Sequence, residues 1–581
     1  MELSATLLAR RLLLLAAVSL VAVPSALAGE ARLTERQATG IFLREDKVGD
    51  WLDRYPARSL TDDADFDAER GTWTVHVWSG EAGEIATGKV DDDTGRVTEA
   101  WTGPQVAWKM ARGYDGAFGG KTINRPEVWL ALCAVFLAGL IDWRRPLGVR
   151  TLDLLVLLSF SVSLWFFNEG DVFTSMPLVY PALAYLLARM VWIGVRGRSP
   201  SRRAAFWPVW ALAAATVFLA GFRIGLNLEG SNVIDVGYSG VIGAHRIVNG
   251  EAPYGHMPAQ GRLRPCGDAD AEGEIRERIQ PNGRCESSNE RGDTYGPVSY
   301  LAYVPGYLLL GWSGKWDDLP AAHLTSIAFD LLALLGLALV GRRFGGLPLA
   351  ATLAFAWAAY PFTQYVSNSN TNDALPAVLL IWGFWLASSP WARGIFAALA
   401  GWTKFGALLV APLWAGYPEA VRLRRPRRPL LFTAGFAAAT LAAFSVLLLE
   451  PDPINAARVF WDRTLGWQLG RESPFSIWDW GQYHAAGIPD LRLVQLPLIG
   501  LVLAGAVLAA FYPRRRSPLQ LAALTAALLV GLELVLTHWS YLYIPWFAPF
   551  VAFAVLAPSR PERKDPEPGV DAERPQLVVV R

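Results

Sequence analysis

The residue best placed for chemistry is Asp235, which stands just after an apolar segment in the stretch 231–255. An ionisable side chain at a membrane boundary is costly to keep unless it has a function, so it predicts a functional site. A carboxylate in such a place can act as a general base that takes a proton from a hydroxyl group. The alternative is an acid that caps a helix or lies on the surface.

Three cationic or hydrogen-bonding side chains from distant parts of the chain could bind a phosphate group. Lys404 stands between two short apolar stretches, and interrupted helices in membranes often line ligand cavities. Arg471 can bind phosphate oxygens in a bidentate manner, and His538 can donate a hydrogen bond. Each has a structural alternative, respectively a snorkelling lysine, a loop salt bridge and a buried structural histidine.

Further candidates for binding a substrate are three tyrosines and one acid, namely Tyr238, Tyr254, Tyr541 and Asp373. Tyrosine and tryptophan also collect at membrane interfaces without any ligand, which is the commoner situation. Asp373 could assist Asp235 or bind a metal. Because the chain has only 6 histidines and no second acid beside Asp235, we expect no metal and no cofactor.

The composition places these residues in a membrane protein. The chain has 581 residues, of which 52% are hydrophobic and 18% are charged. Its apolar runs approach the roughly 20 residues that a helix needs to cross a hydrocarbon core of about 30 Å. We predict a polytopic α-helical membrane protein with about 11 spans and short broken or re-entrant helices. The net charge of +1 and the lack of a basic stripe argue against binding to nucleic acid.

The predicted spans all lie after residue 126. They are 127–142, 151–167, 174–194, 206–224, 321–340, 347–365, 374–389, 430–449, 495–511, 518–537 and 541–557. Residues 395–402 and 406–417 are predicted to be two half-helices that meet at Lys404. Residues 298–312 are apolar, but we expect them to be re-entrant, since a crossing there would invert the later loops against the charge rule.

Arginine-rich loops set the predicted orientation. The segments 142–145, 196–203, 342–343, 422–428 and 514–516 carry the arginines, and the positive-inside rule places them in the cytoplasm. Asp235, His538 and the loops 367–373 and 450–493 then face the opposite side. We therefore expect the site on the extracytoplasmic face.

The two ends of the chain differ from the rest. Residues 1–28 have the layout of a signal peptide, with an uncleaved anchor as the alternative. Residues 30–105 are polar and predict a small exported α+β domain. Its alternating stretch 72–78 and the turn 92–95 resemble a PepSY-type domain, which implies a binding or regulatory accessory. Residues 558–581 are predicted to be a disordered cytoplasmic tail.

A large loop, 226–296, contains Asp235 and two cysteines. Cys266 and Cys285 are expected to form a disulfide, because a disulfide persists outside the cytoplasm. Closing the short loop between these two cysteines would stabilise the fold by about 3 kcal/mol. Cys133 falls inside a span and is expected to be inert.

Short motifs along the chain resemble a known family. They are the acid followed by Tyr238, Gly250-x-x-Pro253-Tyr254, Tyr295-Gly296-Pro297, the polar loop before Asp373, Gly401-x-x-Lys404, Arg471-x-Ser473-Pro474, and His538-x-x-Tyr541. Their order resembles the GT-C superfamily of polyprenyl-phosphate-sugar-dependent glycosyltransferases, and is most similar to glycosyltransferase family 87, the α-mannosyltransferase group. The resemblance covers about residues 205–557 as a transmembrane catalytic module. The chain departs from it by the insert 256–293, the exported domain and three accessory spans in 127–200.

The resemblance implies an inverting transfer of a hexose, expected to be mannose, from a polyprenyl-phosphate donor to an exported glycolipid or glycan. Asp235 would be the general base, while Lys404, Arg471 and His538 would bind the donor phosphate. The expected location is the cell membrane, as part of the cell envelope. Two other functions remain open, a transporter or flippase of lipid-linked sugars and a non-catalytic envelope sensor or scaffold that uses the exported domain.

Overall fold

A computed structural model of the chain describes residues 31–114, 116, 118–269, 275–421 and 426–558. The predicted signal segment and nearly all of the predicted tail lie outside the described residues. The chain divides into two compact units. The first comprises the residues up to Gly113 together with Glu169–Val172 and Ile477–Arg492, and the second contains the rest.

The first unit contains short helices and a four-stranded antiparallel sheet with the strands in sequence order. The helices and 3-10 turns are Glu35–Phe42, Asp46–Leu52, Ala57–Ser59, Gly80–Ala82, Pro104–Ala107 and Lys109–Arg112. The strands are Leu60–Asp67, Thr72–Ser79, Gly83–Asp91 and Val97–Thr102. In the second strand every other residue is buried, so the apolar face of the sheet meets the first helices.

A segment from a late loop completes this unit. The hydroxyl of Tyr55 donates to the carbonyl of Tyr483 at 2.8 Å, and the amide of Ala486 donates to the carbonyl of Arg54 at 3.0 Å. The unit is therefore larger than the predicted boundaries of 30–105, because Ile477–Arg492 joins it. Its likeness to a PepSY-type domain stays a prediction.

The second unit is helical. Its longer helices are Pro126–Leu140, Val149–Asn168, Val179–Arg196, Val209–Gly230, Asp235–Val248, Pro320–Ala359, Pro361–Asn368, Leu375–Trp385, Pro390–Gly401, Arg427–Phe444, Pro453–Trp461, Arg492–Phe511, Pro518–Val535 and Ile544–Leu556. Its shorter helical pieces are Gly120–Asn124, Val172–Ser175, Met176–Leu178, Pro297–Leu301, Val304–Leu310, Asn372–Ala374, Phe405–Val410, Ala411–Ala415, Ser445–Leu449, Asp462–Gly466, Trp467–Leu469 and Tyr541–Tyr543. The remaining short turn, Trp480–Tyr483, belongs to the first unit.

Within the described residues, 7 helices are long and apolar enough to cross a membrane. The chain is a multi-pass membrane protein by this criterion, and the count of about 11 spans stays a prediction. The longest of these helices, Pro320–Ala359, breaks at Gly346, which has a φ of 77°. A Cβ on Gly341 would lie 2.5 Å from the Cα of Ala350, so the chain folds back at the break. Two helices therefore run where spans 321–340 and 347–365 were predicted.

Two apolar segments of the second unit form pairs of short helices instead of single long ones. Pro297–Leu301 and Val304–Leu310 together are too short for a crossing at 1.5 Å per residue, which supports the re-entrant interpretation of 298–312. Pro390–Gly401 and Phe405–Val410 pack against each other as the predicted pair of half-helices, and Lys404 lies between them.

The insert after Asp235 carries a small two-stranded antiparallel sheet, Glu277–Ile279 and Cys285–Ser287. A disulfide links Cys266 to Cys285, with the two Cα atoms 5.9 Å apart. Because Cys285 begins the second strand, the disulfide ties the start of the insert to this sheet.

Candidate active site

A group of polar side chains from six separate segments meets in the second unit. It consists of Asp235, Tyr295, Asp373, Lys404, Arg471 and His538, and we call it the polar cluster. Asp235 lies within electrostatic reach of Lys404, Arg471 and Asp373. His538 lies within reach of the two cations as well. The structure therefore brings together the predicted base and all three predicted phosphate ligands.

Asp235 is the first residue of the helix Asp235–Val248, and Ile234 is the N-cap. Its Oδ1 accepts a hydrogen bond of 2.9 Å from the amide of Val236. The side chain is exposed to solvent, yet enough protein surrounds it to desolvate the carboxylate. It is therefore neither the helix N-cap nor a plain surface acid.

The polar loop 367–373 holds the start of this helix. The amides of Asn232 and Ile234 donate to the carbonyls of Asn368 and Ser369, each at 3.3 Å. Gly237 makes the contact possible, because a Cβ there would lie 2.2 Å from the carbonyl oxygen of Asn370. The two acids of the cluster, which are far apart in sequence, are thus positioned by one loop.

Asp373 and Lys404 form a buried ion pair. Lys404 Nζ lies 3.0 Å from Asp373 Oδ1, and the two side chains are 8% and 2% exposed. The same Nζ lies 3.9 Å from the centre of the Tyr295 ring, which is a cation–π contact. Lys404 is therefore held in place inside the protein and does not snorkel.

The segment from Tyr295 onward packs directly on the Lys404 turn. The amide of Val298 donates to the carbonyl of Trp402 at 3.2 Å, and the hydroxyl of Ser299 donates to the carbonyl of Thr403 at 2.9 Å. A Cβ on Gly296 would lie 2.0 Å from the carbonyl oxygen of Trp402, so only glycine fits there. The Tyr295-Gly296-Pro297 motif thus positions the tyrosine ring against the lysine.

Arg471 and His538 form the other side of the cluster. The Arg471 guanidinium lies 4.9 Å from the centre of the Trp467 ring. His538 Nδ1 lies 2.8 Å from the hydroxyl of Ser473, which also accepts from the amide of Phe475 at 3.2 Å. The Ser473 hydroxyl thus links the His538 ring to the backbone of Phe475 and fixes the orientation of the ring.

Desolvation by the surrounding protein shifts the pKa values of Asp235 and His538. Burial raises the pKa of Asp235, while the amide of Val236 and the charges of Arg471 and Lys404 act in the opposite direction. Burial, with Arg471 and Lys404 nearby, lowers the pKa of His538 well below its usual value. His538 is therefore neutral at physiological pH and can donate a hydrogen bond without adding charge.

The three predicted substrate tyrosines are buried and use their hydroxyl groups within the protein. Tyr238 donates to the carbonyl of Ser287 at 2.7 Å, and Tyr254 donates to the carbonyl of Tyr295 at 3.0 Å. The hydroxyl of Tyr541 lies between those of two serines, at 2.6 and 2.7 Å. This arrangement favours roles in positioning, with Tyr254 acting directly on the backbone of Tyr295.

The role of Tyr295 was missed from the sequence, although its motif was recognised. The signal was the Tyr-Gly-Pro triplet that opens an apolar segment, which marks a helix start but does not tell where the ring points. Among the described residues, no group of three or more histidine, cysteine or acidic side chains could hold a metal ion. The expectation of no metal stays a prediction.

Comparison with known protein families gives one match, which covers less than half of the chain. The sequence model of glycosyltransferase family 87 matches residues 294–538. The match confirms the resemblance to that family and the predicted enzyme class, a glycosyltransferase. It contains Asp373, Lys404, Arg471 and His538, and it begins after Asp235.

One solved structure is similar, the crystal structure of ArnT from Cupriavidus metallidurans bound to undecaprenyl phosphate. It has 16% sequence identity and a TM-score of 0.38, and the alignment covers 60% of this chain. The chain spans 59% of the length of that structure. No curated protein matches the chain.

Proposed function

We propose that the protein is an inverting membrane glycosyltransferase that transfers a hexose from a polyprenyl-phosphate donor to a hydroxyl group of a glycolipid or glycan. The observation that carries the proposal is an accessible carboxylate, Asp235, next to two cations, Lys404 and Arg471. The match to glycosyltransferase family 87 supports it independently. Mannose is the proposed sugar, by resemblance to that family.

The proposed reaction is a single displacement at the anomeric carbon. The acceptor oxygen forms the new bond to this carbon as the bond to the phosphate oxygen breaks. Asp235 takes the proton of the acceptor hydroxyl, and the polyprenyl phosphate leaves with the bonding electrons. One displacement inverts the configuration, and no covalent enzyme intermediate forms.

The cations stabilise the leaving phosphate. Charge grows on the phosphate oxygens during bond cleavage, and fixed donors that meet this charge lower the barrier. Arg471 can bind phosphate oxygens in a bidentate manner, and His538 can donate a further hydrogen bond. Lys404 is shared between Asp373 and the donor phosphate, so the lysine is held ready before the donor binds.

We propose that the site faces the extracytoplasmic side, by the distribution of arginines. The donor then binds from the bilayer, where its lipid tail stays during the reaction. The sheet-containing first unit is proposed to be an accessory on the same side that binds or regulates, in line with its PepSY-like strands.

The test is a transfer assay with a synthetic polyprenyl-phosphate mannose in proteoliposomes. Asp235→Asn keeps the shape of the side chain and removes the base, so we expect a loss of about 10²- to 10⁴-fold in turnover. Glu251→Gln is the control, since Glu251 follows the same helix and pairs with Arg246 at the surface. Unchanged transfer by Asp235→Asn would refute the assignment of the base. Movement of the donor across the bilayer without transfer would favour a flippase.

A further inference from the structure

A second cavity lies in the accessory spans, outside the segment matched by the family model. Its volume is about 490 Å³, which is within the range of ligand pockets in proteins. Five arginines line it, Arg145, Arg150, Arg189, Arg198 and Arg202, together with the acid Asp142. Its lining is therefore strongly positive.

Two of the arginines build the walls of the cavity. The buried guanidinium of Arg150 donates to the carbonyls of Leu140, Arg203 and Ala204 at 2.8, 2.9 and 3.1 Å. These bonds connect the end of the helix Pro126–Leu140 to the loop before the helix Val209–Gly230. Because carbonyl oxygens carry no net charge, the positive charge of Arg150 is retained within the cavity wall.

The second wall residue, Arg189, pairs with a buried acid. Its Nε lies 3.0 Å from Asp153 Oδ1, and the hydroxyl of Tyr185 donates to the same carboxylate at 2.7 Å. Asp153 offsets the charge of Arg189. The remaining arginines, Arg145, Arg198 and Arg202, have exposed side chains and line the opening.

An exposed tryptophan, Trp192, lines the cavity and is 56% exposed. Trp143, Leu147 and Trp207 are close in sequence to lining residues and are 57%, 100% and 47% exposed. Tryptophans with one face in lipid and one in water collect at the level of lipid headgroups. Exposed tryptophans of this kind place the cavity at the level of the lipid headgroups. The headgroup of a lipid could enter the cavity there while its acyl chains stay in the bilayer.

The cavity is separate from the polar cluster. It lies at the Val149 end of Val149–Asn168, a helix of 20 residues and therefore about 30 Å long. Ser163, in the other half of this helix, contacts Tyr541, which is three residues after His538. A ligand in the cavity is therefore distinct from the donor phosphate at the cluster.

We propose that this cavity binds the phosphate headgroup of an anionic membrane lipid on the face that the arginine-rich loops assign to the cytoplasm. Guanidinium groups match phosphate oxygens in geometry and charge. Basic pockets at the ends of membrane helices suit such headgroups, which the inner leaflet supplies. The proposal does not depend on the transferase activity.

The test is the affinity of the purified full-length chain in detergent for a fluorescent phosphatidylglycerol, compared with a fluorescent phosphatidylcholine. We expect clear preference for the anionic lipid. The triple variant R145Q/R198Q/R202Q should weaken binding of the anionic lipid on the order of 10²-fold. The reason is that each arginine near a headgroup contributes a similar share of the binding free energy. Arg202→Gln alone should weaken binding about fivefold.

The matched control is R342Q/R514Q/R515Q, which removes the same charge from exposed arginines outside this cavity on the same predicted face. It should bind phosphatidylglycerol as the wild type does. Equal loss in both triple variants would show a diffuse surface effect and overturn the proposal. Displacement of the lipid by millimolar inorganic phosphate as effectively as by unlabelled phosphatidylglycerol would identify a free-anion site and also overturn it. Melting curves of Arg202→Gln distinguish loss of binding from loss of the fold.

Discussion

Two buried acid–cation pairs in the second unit are bonded in different ways. In the first, Arg223 donates from Nε to Asp330 Oδ2 at 2.8 Å and from Nη2 to Oδ1. Trp357 Nε1 donates to Oδ1 as well, at 2.7 Å, and Arg223 Nη1 donates to the carbonyl of Ala358. Both oxygens of the acid and all three nitrogens of the arginine are engaged, which is what a permanently buried charge requires.

The second pair, Lys404 with Asp373, has one short contact between the charged groups, and the ring of Tyr295 provides the other neighbour of the lysine. An ammonium group has three donors, so one carboxylate contact and one ring leave capacity for a further acceptor. The lysine pair thus keeps capacity for the anion that we propose it binds, whereas the arginine pair has its hydrogen bonds complete and joins helices. Burial alone does not separate these roles, but the completeness of the hydrogen bonding does.

The largest expected effect comes from breaking the arginine pair. Arg223→Met leaves Asp330 buried without its partner, so we expect a loss of about 3–5 kcal/mol in the free energy of unfolding. Thermal unfolding in detergent measures it. The double variant R223M/D330L removes both charges and should recover much of the loss. If the single variant is as stable as the wild type, the Arg223–Asp330 pair does not stabilise the fold as proposed.

Breaking the lysine pair should affect catalysis more than stability. Lys404→Met removes a cation from the leaving phosphate, and we expect turnover with a polyprenyl-phosphate sugar to fall about 10²- to 10³-fold. The change in melting temperature should be smaller than that of Arg223→Met. The opposite order of the two melting temperatures, with full activity in Lys404→Met, would reverse the roles assigned to the two pairs.

A milder change tests how the lysine is positioned. Tyr254→Phe removes the hydrogen bond to the carbonyl of Tyr295, which is worth about 1 kcal/mol. We expect a severalfold increase in KM for the donor and little change in stability. Tyr238→Phe is the comparable control, because its hydroxyl bonds to Ser287 in the insert instead. Equal effects of both variants on KM would argue against a specific link through Tyr295.

The smallest expected effect is on the pH profile. Asp235 must be ionised to act as a base, so activity falls as pH drops through its pKa, which burial raises. Asp373 raises this pKa further through its negative charge. Asp373→Asn should therefore move the acid limb of kcat/KM to lower pH. A limb that stays in place or moves up would mean that the titrating group is not Asp235 beside Asp373.

The sequence predicted the helices of the second unit well because lipid imposes a simple rule. Apolar runs of sufficient length form helices, and helices begin or end within a few residues of most predicted spans. The break at Lys404 was also predictable, because the charge rule left no room for a full crossing at 395–417. The join of Ile477–Arg492 to the first unit was not, since it depends on contacts such as that between Tyr55 and Tyr483.

The sequence by itself determined which residue types were available and that Asp235, Lys404, Arg471 and His538 could belong to one phosphate-handling site. Only the tertiary structure decided the partners, namely that Lys404 pairs with Asp373 and Tyr295 and that the hydroxyls of Tyr238, Tyr254 and Tyr541 are used within the protein. The physical reason is range. Hydropathy and charge are read along the chain, whereas an ion pair or a hydrogen bond forms over about 3 Å between residues that only the packed helices bring together.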